Sequence, residues 1–94
     1  MTLESTSLDA TAGAFSALGD PIRLQVLDLL RNGERCVCEL RDEIDIAPNL
    51  LSYHLKVLRD AGLVVATRRG RWVDYHLARR ALADLRDLIP EAGE

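Results

Sequence analysis

The nineteen residues from Ala47 to Val65, APNLLSYHLKVLRDAGLVV, constrain this chain more than any other stretch. Leu51, Leu55 and Leu58 recur at the i, i+4, i+7 spacing of a helix with one buried face, with Leu50 and Val57 beside them. Pro48 suits the first turn, where its missing N–H is no loss, and Gly62 comes after the last periodic residue as a stop. The opposite face carries Asn49, Ser52, Tyr53, Lys56 and Arg59, with His54 at its margin. A helix this sharply two-faced needs other elements packed beneath it and leaves a polar, basic face free to meet something else.

The residues C-terminal to this helix narrow the fold. Leu63 to Thr67 is rich in β-branched residues, and Trp72 to Leu77 alternates Trp72/Asp74/His76 with Val73/Tyr75/Leu77. Between them lies the basic turn Arg68-Arg69-Gly70-Arg71. Helix, short hairpin and basic tip together predict a winged helix-turn-helix whose second helix reads a DNA groove. Guanidinium groups at the tip suit phosphates or a minor groove, although charged hairpin tips are also ordinary solvated loops.

Upstream, residues 1–7 are polar and expected to fray. Leu8, Ala12, Phe15 and Leu18 mark a first helix that ends at Gly19. Asp20 as N-cap and Pro21 in the first turn open a second. Ile22, Leu24, Val26, Leu27, Leu29 and Leu30 make that helix apolar on much of its circumference, so it is expected to be the central core helix. Arg23, near its start, fits an ion pair or a contact to neighbouring backbone better than base reading. Asn32-Gly33 closes the helix in a turn. A third helix, Cys36 to Ile44, faces Leu40 and Ile44 to the core and precedes the turn Asp45-Ile46-Ala47. A last helix, Arg79 to Ile89, carries Leu82, Leu85, Leu88 and Ile89 and stops at Pro90. The expected order is ααααββα: mainly α with a small β-hairpin, one domain over residues 8–90 and a tail at 91–94.

Charge sharpens the functional reading. The formal net charge is −3, but residues 47–80 hold seven Lys/Arg against two Asp, while residues 1–46 hold nine acids against four bases. Basic charge is therefore concentrated where a groove-reading element would lie. A merely solvated charged face would leave that segregation unexplained. No apolar run approaches the roughly 18–20 residues that span a bilayer, and the N-terminus lacks a basic-then-apolar signal pattern. A cytosolic protein that engages no membrane is expected. No glycine-rich phosphate loop and no nucleophile–His arrangement at recognisable spacing is present, so an enzyme is not expected.

The chemistry centres on Cys36-Val37-Cys38. Two cysteines one residue apart are not a disulfide framework. Their thiolates are soft ligands that select thiophilic ions such as As(III), Sb(III), Cd(II) or Pb(II). A helix N-terminus favours the thiolate. On an ideal helix, however, residues i and i+2 point about 200° apart, so gripping one atom requires the first turn to unwind. A disulfide between them is expected to be strained. The pair could also be two small core residues. Two sulfurs cannot close a structural zinc site, and no structural metal is expected.

Three blocks in order, LGDPIRLQVLDLL (Leu18 to Leu30), ERCVCEL (Glu34 to Leu40) and SYHLKVLRDAGLV (Ser52 to Val64), resemble the ArsR/SmtB family. These are small dimeric winged-helix repressors that release DNA on binding a metal or metalloid. The resemblance covers about residues 14–78. It implies double-stranded operator DNA as partner, with Asn49, Ser52, Tyr53 and Lys56 at base edges, Arg59 beside them, His54 as a packing or phosphate-contacting residue, and Arg68, Arg69 and Arg71 on phosphates. It also implies a homodimer through the terminal helices, at Leu8, Ala12, Phe15, Leu82, Leu85, Leu88 and Ile89. Cys36 and Cys38 match the CVC of the arsenite- and antimonite-responsive branch. Those proteins commonly recruit a third cysteine, often three residues on, where this chain has Arg41. An exogenous thiol or hydroxide could complete the shell, the ligand could be methylarsenite needing only two thiols, or affinity could be weaker. Inorganic As(III) or Sb(III) ranks first as inducer, with methylarsenite or Cd(II) behind. The family's zinc sites on the terminal helices find no His or Cys in residues 1–18 or 79–94. A family Ser or Thr near Ala47 is also missing, and Asn49 is the substitute. A regulator of the same fold that answers to redox change, a protein partner or another signal, and a winged-helix interaction module that never binds DNA, remain the alternatives.

Overall fold

The computed structural model describes residues 5–91. Within them the elements run α1 (Ser5–Leu18), α2 (Pro21–Leu29), β1 (Arg35–Cys36), α3 (Val37–Glu43), α4 (Pro48–Asp60), β2 (Val64–Arg69), β3 (Trp72–Leu77) and α5 (Arg79–Leu88). Helix α1 begins at Ser5, so residues 5–7 are helical rather than part of a frayed terminus. Residues 1–4 and 92–94, expected as flexible terminus and tail, lie outside the described residues.

The core forms where the apolar periodicities converge. Leu51, Leu55 and Leu58 of α4 are almost fully buried and meet Val26 of α2 and Leu30 at its C-cap, Leu40 of α3 and Ile44 at its C-cap, and Leu63. Each such side chain withdrawn from water stabilises the fold by about 1.5–3 kcal/mol. The central helix is therefore α4. Helix α2, expected in that place, buries Val26 but leaves Leu24 half exposed. Its apolar circumference is broader than the surface available to cover it.

The sheet corrects the expected ααααββα order in two ways. It has three strands, in the order β1-β3-β2, all antiparallel. Strand β1 is two residues long, Arg35 opposite Tyr75 and Cys36 opposite Asp74. That is too short to leave a periodicity in the sequence. Strand β2 also runs further than expected, through Arg69, which pairs with Trp72. The wing is thus closed by only Gly70 and Arg71, with Gly70 at φ +61°, the left-handed conformation that two-residue hairpin loops favour. Arg68 and Arg69 are strand residues, on opposite faces of the sheet.

A polar clasp fixes α4 against the first two helices. Asp20 Oδ1 accepts the N–H groups of Ile22 (2.8 Å) and Arg23 (3.2 Å), capping α2. The Arg23 guanidinium turns back onto the end of α1, donating from Nε to the Ala17 carbonyl (2.6 Å). Its Nη1 lies 3.0 Å from Nδ1 of His54, which is buried within α4. A guanidinium only donates, so Nδ1 accepts and the imidazole carries its proton on Nε2. Arg23 thus makes the backbone contact expected of it.

Arg23→Lys keeps the charge but cannot reach a carbonyl and a ring nitrogen with one planar fork. We expect it to cost about 1–3 kcal/mol, each 1 kcal/mol lowering the melting temperature by about 4–8 °C at this size. A thermal melt by circular dichroism checks this, and an unchanged midpoint would remove the clasp from the list of stabilising contacts.

Candidate nucleic-acid interface and thiol pair

The outer face of α4 presents Asn49, Ser52, Tyr53, Lys56 and Arg59 to solvent. Leu50, grouped with the buried stripe by its spacing, is instead 44% exposed beside them. His54 does not belong to this face. It is 7% exposed and turned toward Arg23 and Asp20, so of its two expected roles it packs, and the expectation that it touches DNA is corrected. At position i+3 from Leu51 and i−4 from Leu58 it falls on the buried stripe, a placement its polarity disguises.

Ala47 stands at the N-cap of α4 with no side-chain cap, as its methyl group requires. Lys56 Nζ pairs with Asp60 across one helical turn at 2.6 Å, and the ammonium holds the Asp60 carboxyl below its ordinary range. A cleft between α3, α4 and the wing brings Arg41 together with Ser52, Lys56 and Arg59 above Val37, Val73 and Tyr75. The sequence marks Arg41 only as the position where a third cysteine is missing; a basic residue on one helix gives no sign that a second helix and a strand converge on it.

At the wing, Arg68 and Arg71 are exposed, whereas Arg69 forms a fork on Asp74, Nε to Oδ2 at 2.8 Å and Nη2 to Oδ1 at 3.3 Å. Asp74 is 6% exposed. Nothing in the alternation of β3 singles out this carboxylate as buried.

Cys36 closes β1 and is also the N-cap of α3, with extended backbone at φ −67°, ψ 149°. Its Sγ accepts the Cys38 N–H at 3.2 Å, while Glu39 Oε1 accepts the Cys36 N–H at 3.1 Å. This is a capping box with sulfur in the place usually taken by a hydroxyl or carboxylate. Cys36 lies outside the helical turn, so the 200° divergence of an ideal helix does not apply. The two Sγ atoms meet as a disulfide, with Cα atoms 5.2 Å apart. That Cα separation is ordinary for a disulfide. The expected unwinding of α3 is therefore not required to bring the sulfurs to one point. Among the described residues, no group of three or more His, Cys, Asp or Glu is arranged to hold a metal ion. His76 sits on β3, 3.6 Å from Glu34.

Of the terminal-helix positions, Leu8, Ala12, Leu88 and Ile89 are exposed. Phe15 and Leu82 pack partly on the protomer's own core. Leu85 is buried within it, which removes it as an interface residue.

Comparison with known proteins gives the same outline. The family described as bacterial regulatory protein, arsR family, matches residues 20–65, from the cap of α2 into β2. The arsenical resistance operon repressor of Escherichia coli is 38% identical over 79 residues, covering 83% of this chain and 68% of that protein. The chain belongs to the arsR family. Another relative, the HTH-type transcriptional repressor SmtB of Mycobacterium tuberculosis, is 42% identical over 88 residues, 93% of this chain. The chain spans about 65% of the length of that curated relative. A solved homodimeric winged helix-turn-helix DNA-binding domain from Mycobacterium bovis, a possible ArsR-family regulator, superposes with a TM-score of 0.77 at 35% identity, covering 94% of this chain and 85% of that one. Family and relatives are transcriptional regulators, not enzymes. Among the described residues, no helix is long and apolar enough to cross a membrane.

The Arg69 guanidinium holds the Asp74 carboxyl below its ordinary value of 3.8. A carboxyl lowered in the folded state contributes stability that is present above the ordinary carboxylate range and lost as pH falls through the lowered value. Melting temperatures of the wild type and Arg69→Ala should therefore differ at neutral pH and converge on acidification. A difference independent of pH would mean that Arg69 acts through packing alone.

Proposed function

We propose that this arsR-family chain is a cytosolic DNA-binding transcriptional repressor that leaves its operator when arsenite or antimonite bridges Cys36 and Cys38. The observation that carries the reading is the meeting of the two sulfurs at the cap of α3. This helix packs Leu40 and Ile44 into the same core as Leu51 and Leu55 of the recognition helix α4. When bound, the metalloid supplies a soft centre that takes up two thiolates. The Sγ lone pairs that cap Cys38 N–H are then shared with it, the first turn of α3 loses a partner, and the support beneath α4 changes. Ligand and operator affinities are linked reciprocally through that helix.

Support for DNA as partner comes from the exposed row Asn49, Ser52, Tyr53, Lys56 and Arg59, the cleft that adds Arg41, and the wing arginines Arg68 and Arg71. The names of the relatives, an arsenical repressor and SmtB among them, fit a metal or metalloid inducer without choosing between ions. The missing third sulfur favours an exogenous thiol or hydroxide in the shell, or methylarsenite, with Cd(II) as a further ligand. A homodimer is favoured by the exposed Leu8, Leu88 and Ile89 on the terminal helices and by the homodimeric relative.

A second reading has an observation of its own. The Cys36–Cys38 disulfide makes an oxidation switch available at the same place. Two thiols would give up two protons and two electrons to a disulfide or azo oxidant.

Fluorescence anisotropy of a labelled palindromic upstream DNA tests both. Arsenite or antimonite should release the reduced protein, and Cys36→Ser/Cys38→Ser should bind DNA but stay bound. Release by an oxidant alone would establish the second reading, and absence of DNA binding by the wild type would sink both. Lys56→Ala should weaken binding and flatten the salt dependence by about 0.9 per protomer in log–log slope, one groove-facing cation each. An unchanged slope would leave Lys56 as merely the partner of Asp60.

A further inference from the structure

Strand β3 carries a carboxylate where a DNA-binding wing gains least from one. Asp74 lies opposite Cys36 on β1 and opposite Thr67 on β2. Residues directly opposite in antiparallel strands share a face, with Cβ atoms about 4.5–5.5 Å apart. Arg69, two residues beyond Thr67, joins that face and is gripped by Asp74 through both guanidinium contacts. Arg68 and Arg71 have no carboxylate partner among the described residues. Asp74 thus touches the wing on one side and adjoins the sulfur-bearing residue on the other.

Strand β1 makes that adjacency consequential. It has two residues, and one of them is Cys36. The residue that pairs with β3 at Asp74 also caps α3 and holds one sulfur of the disulfide. Cys36 and Asp74 are direct cross-strand partners, so no residue separates the sulfur-bearing position from the carboxylate that holds the wing arginine.

We propose that Asp74 is a positioning residue through which the state of the Cys36–Cys38 pair sets how much positive charge the wing offers to DNA. With the sulfurs joined, as in this structure, Asp74 clasps Arg69 and competes with phosphate for it. With both thiols free, Cys36 withdraws from Cys38, the register at Asp74 relaxes, and Arg69 is released to the DNA backbone. The inference rests on the DNA-binding reading, but part of its test needs no DNA.

Oxidation with diamide provides the two states: two thiols lose two electrons and two protons to the azo bond, which becomes a hydrazine. In the DNA-free protein, the Arg69 Nε–H should exchange slowly with solvent in the oxidised form and faster in the reduced form by nitrogen-15 NMR. Equal exchange in both forms overturns the proposal. On labelled DNA, Arg69→Ala should weaken the reduced protein by at least about tenfold, the loss of one hydrogen bond to a charged group on the wing, and leave the oxidised protein unchanged. Asp74→Asn should strengthen the oxidised protein and leave the reduced protein unchanged. Both variants therefore shrink the ratio of reduced to oxidised affinity, from opposite ends. A merely structural aspartate would lower both affinities together, and that result overturns the proposal. Should Asp74→Asn fail to fold, Arg69→Ala, altered at an exposed side chain, still decides: equal weakening of the two forms rejects the coupling. Failure of the wild type to bind DNA would defeat the function proposed above, while the exchange measurement would still pass or fail the clasp on its own.

Discussion

The three-way clasp of Asp20, Arg23 and His54 governs how the rest of the molecule is arranged. Apolar side chains alone can hold a helix against a core at several rotations, because dispersion and the hydrophobic effect have little direction. A guanidinium that must satisfy a carbonyl at the end of α1 and a ring nitrogen inside α4 permits far fewer. It therefore sets the rotation of α4 about its own axis, and with it which side chains look outward. Asp20 completes the arrangement by capping α2, which brings Arg23 to the junction.

Cys36 is the second point of convergence, and it works by overlap of roles. Strand pairing, helix capping and sulfur chemistry all fall on this one residue. A hydroxyl in its place could cap α3 but could not act as a soft ligand. A cysteine one position later would lie inside the helix and point away from Cys38. The extended backbone of the cap residue is what lets a pair separated by one residue act at a single point.

How much is legible in the sequence depends on the range of the interaction. Helices α4 and α5 have a strong period and are readable because burial repeats along the chain. So is the N-cap at Asp20, whose partners are two and three residues away. Strand β1 is not readable: two residues carry no period, and the pairing that defines it is with a strand nearly forty positions on. His54 is misplaced by its sequence because a polar residue on a buried stripe looks like a residue at its edge until its partner, 31 positions earlier, is known. Asp74 and Arg69 show the same pattern, since only the register of β2 and β3 identifies the pair. The cysteine pair is legible as chemistry but not as geometry, because periodicity alone starts the helix one residue too early.

The shortness of α3 has a thermodynamic consequence. Seven residues make two turns, well below the length at which a helix persists in water by its own hydrogen bonds. It exists because Leu40 and Ile44 anchor one side and because sulfur and carboxylate close its first turn. Proteins open locally at free energies well below that of global unfolding, and segments with few internal bonds open first. A switch placed in such a segment needs only a small part of a ligand's binding energy to shift its population, and the core around α4 can remain intact while it does.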